Sequence, residues 1–138
     1  MWVVDTCVLI DVLEDDPEFG GDSARCLAKH LPGALLVAPV TYVELAPAFD
    51  GSLKLQDEFL RGVGAAWDEP WTPADTRAAH RAWHLHVERR RAGRAPKRPV
   101  ADILIGAFAS RFDGLVTRNP DDFRGAFPDL ALRNPIDG

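Results

Sequence analysis

The chain opens with a short run of strand-forming residues that ends in a carboxylate. Residues 2–4 are Trp, Val and Val, Asp5 follows them directly, and the next apolar run, over 8–13, has the character of a helix. A strand without polar alternation is typical of a parallel sheet that is covered on both faces. In open α/β sheets, ligands bind outside the carboxyl ends of the strands. The opening therefore predicts an α/β fold with Asp5 at the ligand-binding edge, although Asp is also a common helix N-cap and either role fits this stretch alone.

Strands and helices alternate along the rest of the chain. The strongest helix start is at 72–75, where Thr, Pro, Ala and Asp supply an N-cap, a proline at the first helical position and an acid in the first turn. Apolar runs predict further strands over 34–38, 65–67, 115–117 and 131–132, and apolar periodicity predicts helices over 22–31, 41–49, 53–63, 73–92 and 100–112, with a short one from 119. This order predicts a three-layer α/β/α sandwich with a central, mainly parallel sheet of four to five strands, in one domain spanning residues 1–138.

The charge of the chain is unevenly distributed. The net charge is −5, yet residues 89–98 contain six of the 16 basic residues and no acid, which leaves 10 basic against 21 acidic residues elsewhere. Such a block on an acidic body predicts a local contact with phosphate groups. Cations at the end of a helix also complement its dipole, so a solvated helix end is the alternative. The basic side chains of the block are Arg89, Arg90, Arg91, Arg94, Lys97 and Arg98.

Cysteine content and hydropathy indicate a cytoplasmic protein without membrane contact. The two cysteines are too few for a disulfide scaffold and do not form a metal-binding pair, and Cys7 lies in an apolar run as a small buried hydrophobe would. No cationic region precedes the first apolar run, so we expect no signal peptide. No apolar stretch approaches the length that spans a bilayer.

Several acidic residues share one kind of place in the predicted fold, at a strand-to-helix junction or early in a helix. They are Asp5, Glu44, Asp102 and the neighbours Asp121 and Asp122. Each has a local explanation, since Thr41 and Glu44 have the spacing of a capping box, Asn119 and Asp122 nearly do, and Asp102 would complement a helix dipole. Three or four carboxylates in one dry place are costly unless a cation neutralises them. An all-oxygen set suits Mg²⁺ or Mn²⁺ rather than zinc, so the acids together predict such an ion.

Four stretches of the chain, taken in order, resemble the motifs of PIN-domain ribonucleases. They are VVDTCVLID at 3–11, PVTYVEL at 39–45, VADILIGAFA at 100–109 and LVTRNPDDF at 115–123. The nearest resemblance is to the VapC-type toxins of bacterial type II toxin–antitoxin pairs. It implies a PIN-like α/β/α sandwich, Mg²⁺ or Mn²⁺ as cofactor, and endonucleolytic hydrolysis of RNA phosphodiester bonds by metal-activated water. It also implies a homodimer and a cognate antitoxin that holds the enzyme silent.

The resemblance assigns roles residue by residue. Asp5, Glu44 and Asp102 match the three principal metal-binding acids of the family. In the fourth motif the first acidic position is Asn119, so we assign the fourth acid to Asp122, with Asp121 as an additional neighbour. The supporting hydroxyls of Thr6 and Thr117 match groups that hold a water molecule or a carboxylate. Arg118, between Thr117 and Asn119, is expected to contact RNA, as the basic block does, or to pair with a nearby acid.

Two other functions and one other metal site compete with this interpretation. A module of the same fold could bind RNA or an antitoxin without cleaving anything, and the presence of the metal-binding acids argues against it. A phosphatase of the haloacid dehalogenase type needs a second Asp two residues after the first, where this chain has Cys7. His80 and His84, with Glu88 one turn on, have a spacing that can bind zinc, but no further ligand motif completes a site.

Overall fold

The centre of the molecule is a five-stranded sheet in which every strand is parallel to its neighbours. The computed structural model describes residues 1–30, 34–93 and 100–137. The strands are β1 (Trp2–Val4), β2 (Leu35–Leu36), β3 (Ala65–Ala66), β4 (Gly114–Val116) and β5 (Leu132–Arg133). Their spatial order is β3-β2-β1-β4-β5, and all four pairings are parallel. The predicted parallel sheet is therefore confirmed, with five strands.

Helices cover both faces of this sheet. In the described part of the chain they are α1 (Thr6–Leu13), α2 (Gly20–His30), α3 (Pro39–Glu44), α4 (Leu53–Gly62), α5 (Pro73–Arg91), α6 (Val100–Ala109) and α7 (Asp121–Arg124), with 3₁₀ turns at Ala46–Phe49 and Pro135–Asp137. The predicted α/β/α sandwich is confirmed. None of the helices in the described ranges has the length and apolar character needed to cross a membrane.

Alternating side chains of the strands build two separate cores. In β1, Val3 faces one core and Val4 faces the other, and both side chains are fully buried. The Val3 core receives α5, α6 and α7, whereas the Val4 core receives α1, α2 and α4. Burial on both faces explains why the strands read as continuous apolar runs.

The order of the strands places a topological switch point beside β1. The chain runs outward from β1 through β2 to β3 on one side, and then from β4 to β5 on the other side. The carboxyl ends of β1 and β4 are consequently adjacent, and the chain leaves them in opposite directions. Such a point opens a crevice for ligands in parallel α/β sheets.

Local signals predicted one helix boundary well and another poorly. The helix start at Thr72 is confirmed, since Thr72 and Asp75 exchange the two hydrogen bonds of a capping box. The capping box expected at Thr41 and Glu44 is wrong. Helix α3 begins at Pro39 after the N-cap residue Ala38, so Thr41 is buried inside the helix and Glu44 is its last residue. Proline at the first helical position set the start two residues earlier than expected.

Candidate active site

Asp5 is a buried carboxylate at the carboxyl end of the central strand. It follows β1 directly, acts as the N-cap of α1, and is 7% exposed. Its Oδ1 accepts the backbone N–H of Thr6 at 2.8 Å. Its Oδ2 accepts the hydroxyl of Thr117 at 2.7 Å and the thiol of Cys7, with Sγ 3.4 Å away. The helix cap and the predicted site residue are thus the same group, and its position is fixed from several sides.

Thr6 joins Asp5 to the second predicted acid. Its hydroxyl Oγ1 lies 2.8 Å from Glu44 Oε1 and 3.1 Å from Thr41 Oγ1. Because a hydroxyl has one proton, Thr6 donates to the Glu44 carboxylate and accepts from the Thr41 hydroxyl. Thr41 is fully buried, whereas Glu44 is exposed. Glu44 is therefore held near Asp5 through one of its carboxylate oxygens, while the residue stays exposed to solvent.

Thr117 supplies the matching contact from the other side of the switch point. It follows β4 and is fully buried. Its Oγ1 accepts the backbone N–H of Asn119 at 3.0 Å, which leaves its own proton for Asp5. The Asn119 side chain extends toward Cys7, with Nδ2 3.8 Å from Sγ. Hydroxyl groups from both strand ends thus position the acidic pair.

Burial controls the ionisation of this pocket. It raises the pKa of Asp5 above the usual 3.8, and the negative charge of Glu44 adds to the rise, while hydrogen bonds from Thr117, Cys7 and Thr6 oppose it. Burial, together with the nearby Asp5 carboxylate, also raises the pKa of the Cys7 thiol to about 12. Cys7 is accordingly protonated near neutral pH and serves as a donor to Asp5. A bound cation would favour the ionised form of Asp5.

Asp102 approaches the same edge of the sheet on α6. It lies in the first turn of that helix and is half-buried. Because α6 leads into the parallel strand β4, its first turn lies toward the carboxyl edge and its last turn toward the amino edge. Close packing holds the helix in place, since a Cβ at Gly106 would collide with the ring of Phe127.

The two aspartates at the start of α7 occupy different surroundings. Asp121 is exposed over 85% of its side chain and forms an ion pair with Arg124 on the same helix. Asp122 is half-buried, and its backbone N–H donates to the carbonyl of Asn119 at 3.0 Å. The assignment of Asp122 as the fourth acid stays a prediction, and Asp121 points toward solvent.

The predicted RNA-contacting residues divide into three groups. Arg89 donates to the carbonyl oxygen of Gly125 at 2.7 Å and is half-buried, whereas Arg90 and Arg91 are exposed. Arg118 binds Asp11 through two nitrogens instead of projecting freely. The remaining predicted contacts, Arg94, Lys97 and Arg98, lie outside the described residues.

Thr41 and Asp11 are site neighbours that sequence reasoning missed. The capping-box spacing predicts a helix cap at Thr41, and Asp11 lies within the apolar run over 8–13, where no motif marks it. Asp11 is 4% exposed, and an acid that falls on the buried face of an amphipathic helix is a signal that a buried partner exists. Neither the spacing nor the composition identifies that partner as Arg118, 107 positions away.

The donor set fits a hard divalent cation that keeps part of its own hydration. Among the residues that the structure describes, no three His, Cys, Asp or Glu side chains come close enough together to hold a metal ion on their own. The compact set of three or four acids expected from the sequence is therefore not formed there, as mutual repulsion of carboxylates without a cation would dictate. Mg²⁺ commonly binds through one or two carboxylates, with water and substrate phosphates completing its octahedron. Asp5 and Glu44, linked through Thr6, provide such a pair.

Comparisons with known proteins agree with this architecture. A chain of VapBC2 from Rickettsia felis, in a crystal structure bound to a DNA fragment from their promoter, has a TM-score of 0.70 at 17% identity, covering 96% of this chain and 97% of that one. FitAcB from Neisseria gonorrhoeae has a TM-score of 0.67 at 17% identity, and 99% of each chain is covered. DNA-bound VapBC from Salmonella typhimurium has a TM-score of 0.63 at 20% identity, and 97% of each chain is covered. No curated protein sequence matches the chain. A model of the PIN domain matches residues 2–126, and the chain belongs to the PIN domain family.

Proposed function

We propose that this protein is an endoribonuclease that depends on Mg²⁺ or Mn²⁺ and acts in the cytoplasm as the toxin of a toxin–antitoxin pair. The observation that carries the proposal is the acidic pair at the switch point, where Thr6 holds Asp5 with its backbone N–H and Glu44 with its hydroxyl. A buried carboxylate with a raised pKa beside a second carboxylate is typical of a functional site. Membership of the PIN family supports a nuclease in general terms.

In this proposal Asp5 and Glu44 would hold the ion or ions, and Asp102 and Asp122 would join them once a cation offsets the repulsion between the carboxylates. A divalent cation at such a site lowers the pKa of a water molecule and neutralises charge on the phosphate. Asp5 contributes a carboxylate whose orientation is fixed by Thr6 and Thr117, so little reorganisation is needed on binding. Exposed Glu44 can reach both the cation and the incoming substrate.

The surroundings of Asp5 argue against a covalent mechanism through Cys7. A thiol with a pKa of about 12 has almost no thiolate at neutral pH, and the thiolate is the nucleophilic form. The Cys7 proton is instead directed to Asp5 Oδ2. We therefore infer that water attacks phosphorus, that the bond to the leaving oxygen breaks, and that the enzyme forms no covalent intermediate.

RNA contact is proposed for the exposed cations at the end of α5. Arg90 and Arg91 are solvent-exposed there. Guanidinium groups contact phosphates well, and such a block would offset the repulsion between RNA and a chain of net charge −5. Arg89 is anchored to Gly125, so we expect it to orient the end of the helix more than to bind RNA.

A protein partner and a second copy of the chain are also part of the proposal. The resemblance of the four motifs to VapC-type toxins supports both an antitoxin and a homodimer. Large apolar side chains are exposed next to the site, with Val43 preceding Glu44 at 69% exposure and Val100 two residues before Asp102 at 51%. An antitoxin Arg that enters the acidic pocket could form two parallel hydrogen bonds with a carboxylate. Mn²⁺ and the antitoxin would then compete, and a complex that binds Mn²⁺ as tightly as the free toxin would contradict this form of inhibition.

The proposed activity can be tested with purified protein and a mixed RNA substrate. Cleavage is expected with Mg²⁺ or Mn²⁺, none with EDTA, and none with Asp5→Asn or Asp102→Asn, each checked for folding by circular dichroism. Asp129→Asn, an exposed acid in the loop between α7 and β5, is the matched control and should retain full activity. Undiminished cleavage by either folded site variant would refute the assignment. A folded wild-type protein that binds RNA but never cleaves it would identify a non-catalytic PIN module, the alternative function.

A further inference from the structure

A partly buried ion pair links the two halves of the site at a second point. Arg118 Nε lies 2.5 Å from Asp11 Oδ2, and its Nη2 lies 3.1 Å from Asp11 Oδ1. The carboxylate of Asp11 also accepts the hydroxyl of fully buried Ser23 at 3.3 Å. The guanidinium lies over the ring of Phe19, 4.2 Å from its centroid. Two parallel hydrogen bonds and a stacked face fix the orientation of Arg118.

The pair connects the elements that supply the hydrogen bonds of Asp5. Asp11 belongs to α1, which begins with Thr6, whose backbone N–H binds Asp5 Oδ1. Arg118 lies directly after Thr117, whose hydroxyl binds Asp5 Oδ2. The contact between Asp11 and Arg118 therefore joins the same two segments of the chain as the contact between Asp5 and Thr117. Both contacts cross the switch point between β1 and β4.

Arg118 is also placed to control the direction of the Thr117 hydroxyl. The residue on its other side, Asn119, donates its backbone N–H to Thr117 Oγ1 at 3.0 Å. With that lone pair occupied, the hydroxyl proton is directed to Asp5. The conformation of three consecutive residues thus sets one hydrogen bond of the site, and the central residue of the three is fixed by Asp11.

Stability alone gives little reason for a charged pair in this position. Replacing a buried ion pair by apolar residues of similar volume is often neutral or stabilising, because desolvation offsets the attraction between the charges. The Arg118 side chain is 23% exposed and that of Asp11 is 5% exposed, so the pair is largely removed from water. Unlike an apolar pair, the ion pair forms directional hydrogen bonds, which fix the orientation of Arg118.

We propose that Asp11 and Arg118 are positioning residues that hold the Thr117 hydroxyl against Asp5 and so set the affinity of the site for its divalent ion. This inference depends on the proposed function for the identity of the ion, and it reassigns Arg118 from RNA contact to support of the acidic pair. Groups that orient metal ligands in this way typically change metal affinity or activity by about 10- to 100-fold when they are removed.

The test measures Mn²⁺ affinity by calorimetry for Asp11→Asn, Arg118→Met and the double variant. Each single change should weaken Mn²⁺ binding by about 10- to 100-fold, and the double variant should be no weaker than the worse single one, because either change removes the same contact. RNA binding should keep the salt dependence of the wild type. If Arg118 instead contacts phosphate, Arg118→Met should flatten that dependence and leave Mn²⁺ affinity unchanged, and buried Asp11 should not reproduce its effect. That result would overturn the proposal.

A second measurement separates this proposal from the proposed function. Hydrogen exchange of the Asn119 backbone amide reports its bond to Thr117 Oγ1 without any metal or RNA. Faster exchange in both single variants is expected even if the wild-type protein proves to bind no Mn²⁺ and cut no RNA. Unchanged exchange in both variants would refute the positioning role, whatever the protein does to RNA. If Arg118→Met fails to fold, Arg118→Lys keeps the charge, loses the paired geometry and carries the same expectations.

Discussion

The effect of Mn²⁺ on thermal stability should depend on Asp5. A ligand present at 100 times its dissociation constant stabilises the folded state by about 2.7 kcal/mol. In a domain of 138 residues each kcal/mol is worth roughly 3 to 4 °C, so the wild-type melting temperature should rise by about 9 °C. Asp5 is the buried carboxylate of the pair, so in Asp5→Asn we expect affinity to fall by at least about 100-fold. At the same Mn²⁺ concentration the gain then shrinks to about 0.4 kcal/mol, or 1 to 2 °C.

The same variant tests the electrostatic argument in the absence of metal. Because the pKa of Asp5 is raised on folding, the folded state holds a proton that the unfolded state releases, and wild-type stability falls as pH rises above 3.8 through the folded pKa. Asp5→Asn removes this loss, so in EDTA at neutral pH its melting temperature should equal or exceed that of the wild type. Differential scanning fluorimetry with Asp129→Asn as the control measures both effects. An Asp5→Asn protein with the full 9 °C rise in Mn²⁺ would refute the reasoning.

Three further predictions concern protons, phosphates and the scaffold. Mn²⁺ affinity measured by calorimetry should increase with pH over a window that begins above 3.8, because protons compete for Asp5; an affinity independent of pH up to neutrality would contradict this. Replacing Arg90 and Arg91 by Gln should reduce the slope of log RNA affinity against log salt by about 1.4, and an unchanged slope would make this block a solvated helix end. Asp75→Ala should lower the unfolding free energy by about 2 to 4 kcal/mol in urea titrations, since it removes half of the capping box of α5 and the hydrogen bonds with Arg111, whose Nε lies 2.7 Å from Asp75; a loss below 1 kcal/mol would contradict it.

Local chemistry explains what could be predicted from the sequence. Asp5 comes directly after an apolar strand. In a parallel sheet all strands end at the same edge, so the position of Asp5 at the carboxyl edge can be predicted without knowing the order of the strands. The start of α5 depends on three neighbouring residues, and the cap at Thr72 formed as expected. The role of Glu44 as a site residue stays a prediction, but the capping box expected between Thr41 and Glu44 is wrong, because Pro39 starts α3 early and turns Thr41 toward Thr6.

Contacts between distant residues explain what could not be predicted. The bonds from Thr117 to Asp5 and from Arg118 to Asp11 join residues 112 and 107 positions apart, and they depend on β4 lying beside β1. Hydrophobic periodicity and helix caps are local signals, and they do not indicate which strands are neighbours in the sheet. Arg118 illustrates the consequence, since between Thr117 and Asn119 it resembles a phosphate ligand until Asp11 is placed opposite it.

Product analysis in ¹⁸O-labelled water tests the central claim most directly. If the acidic pair supports attack by water, mass spectrometry of cleaved RNA should find one new end with a phosphate monoester that carries one ¹⁸O, and the other with a hydroxyl. A substrate with deoxyribose at the cleaved position should still be cut, and Asp5→Asn should give no product from either substrate. A 2′,3′-cyclic phosphate, or a requirement for the 2′-hydroxyl, would show that the RNA supplies its own nucleophile and would contradict the account.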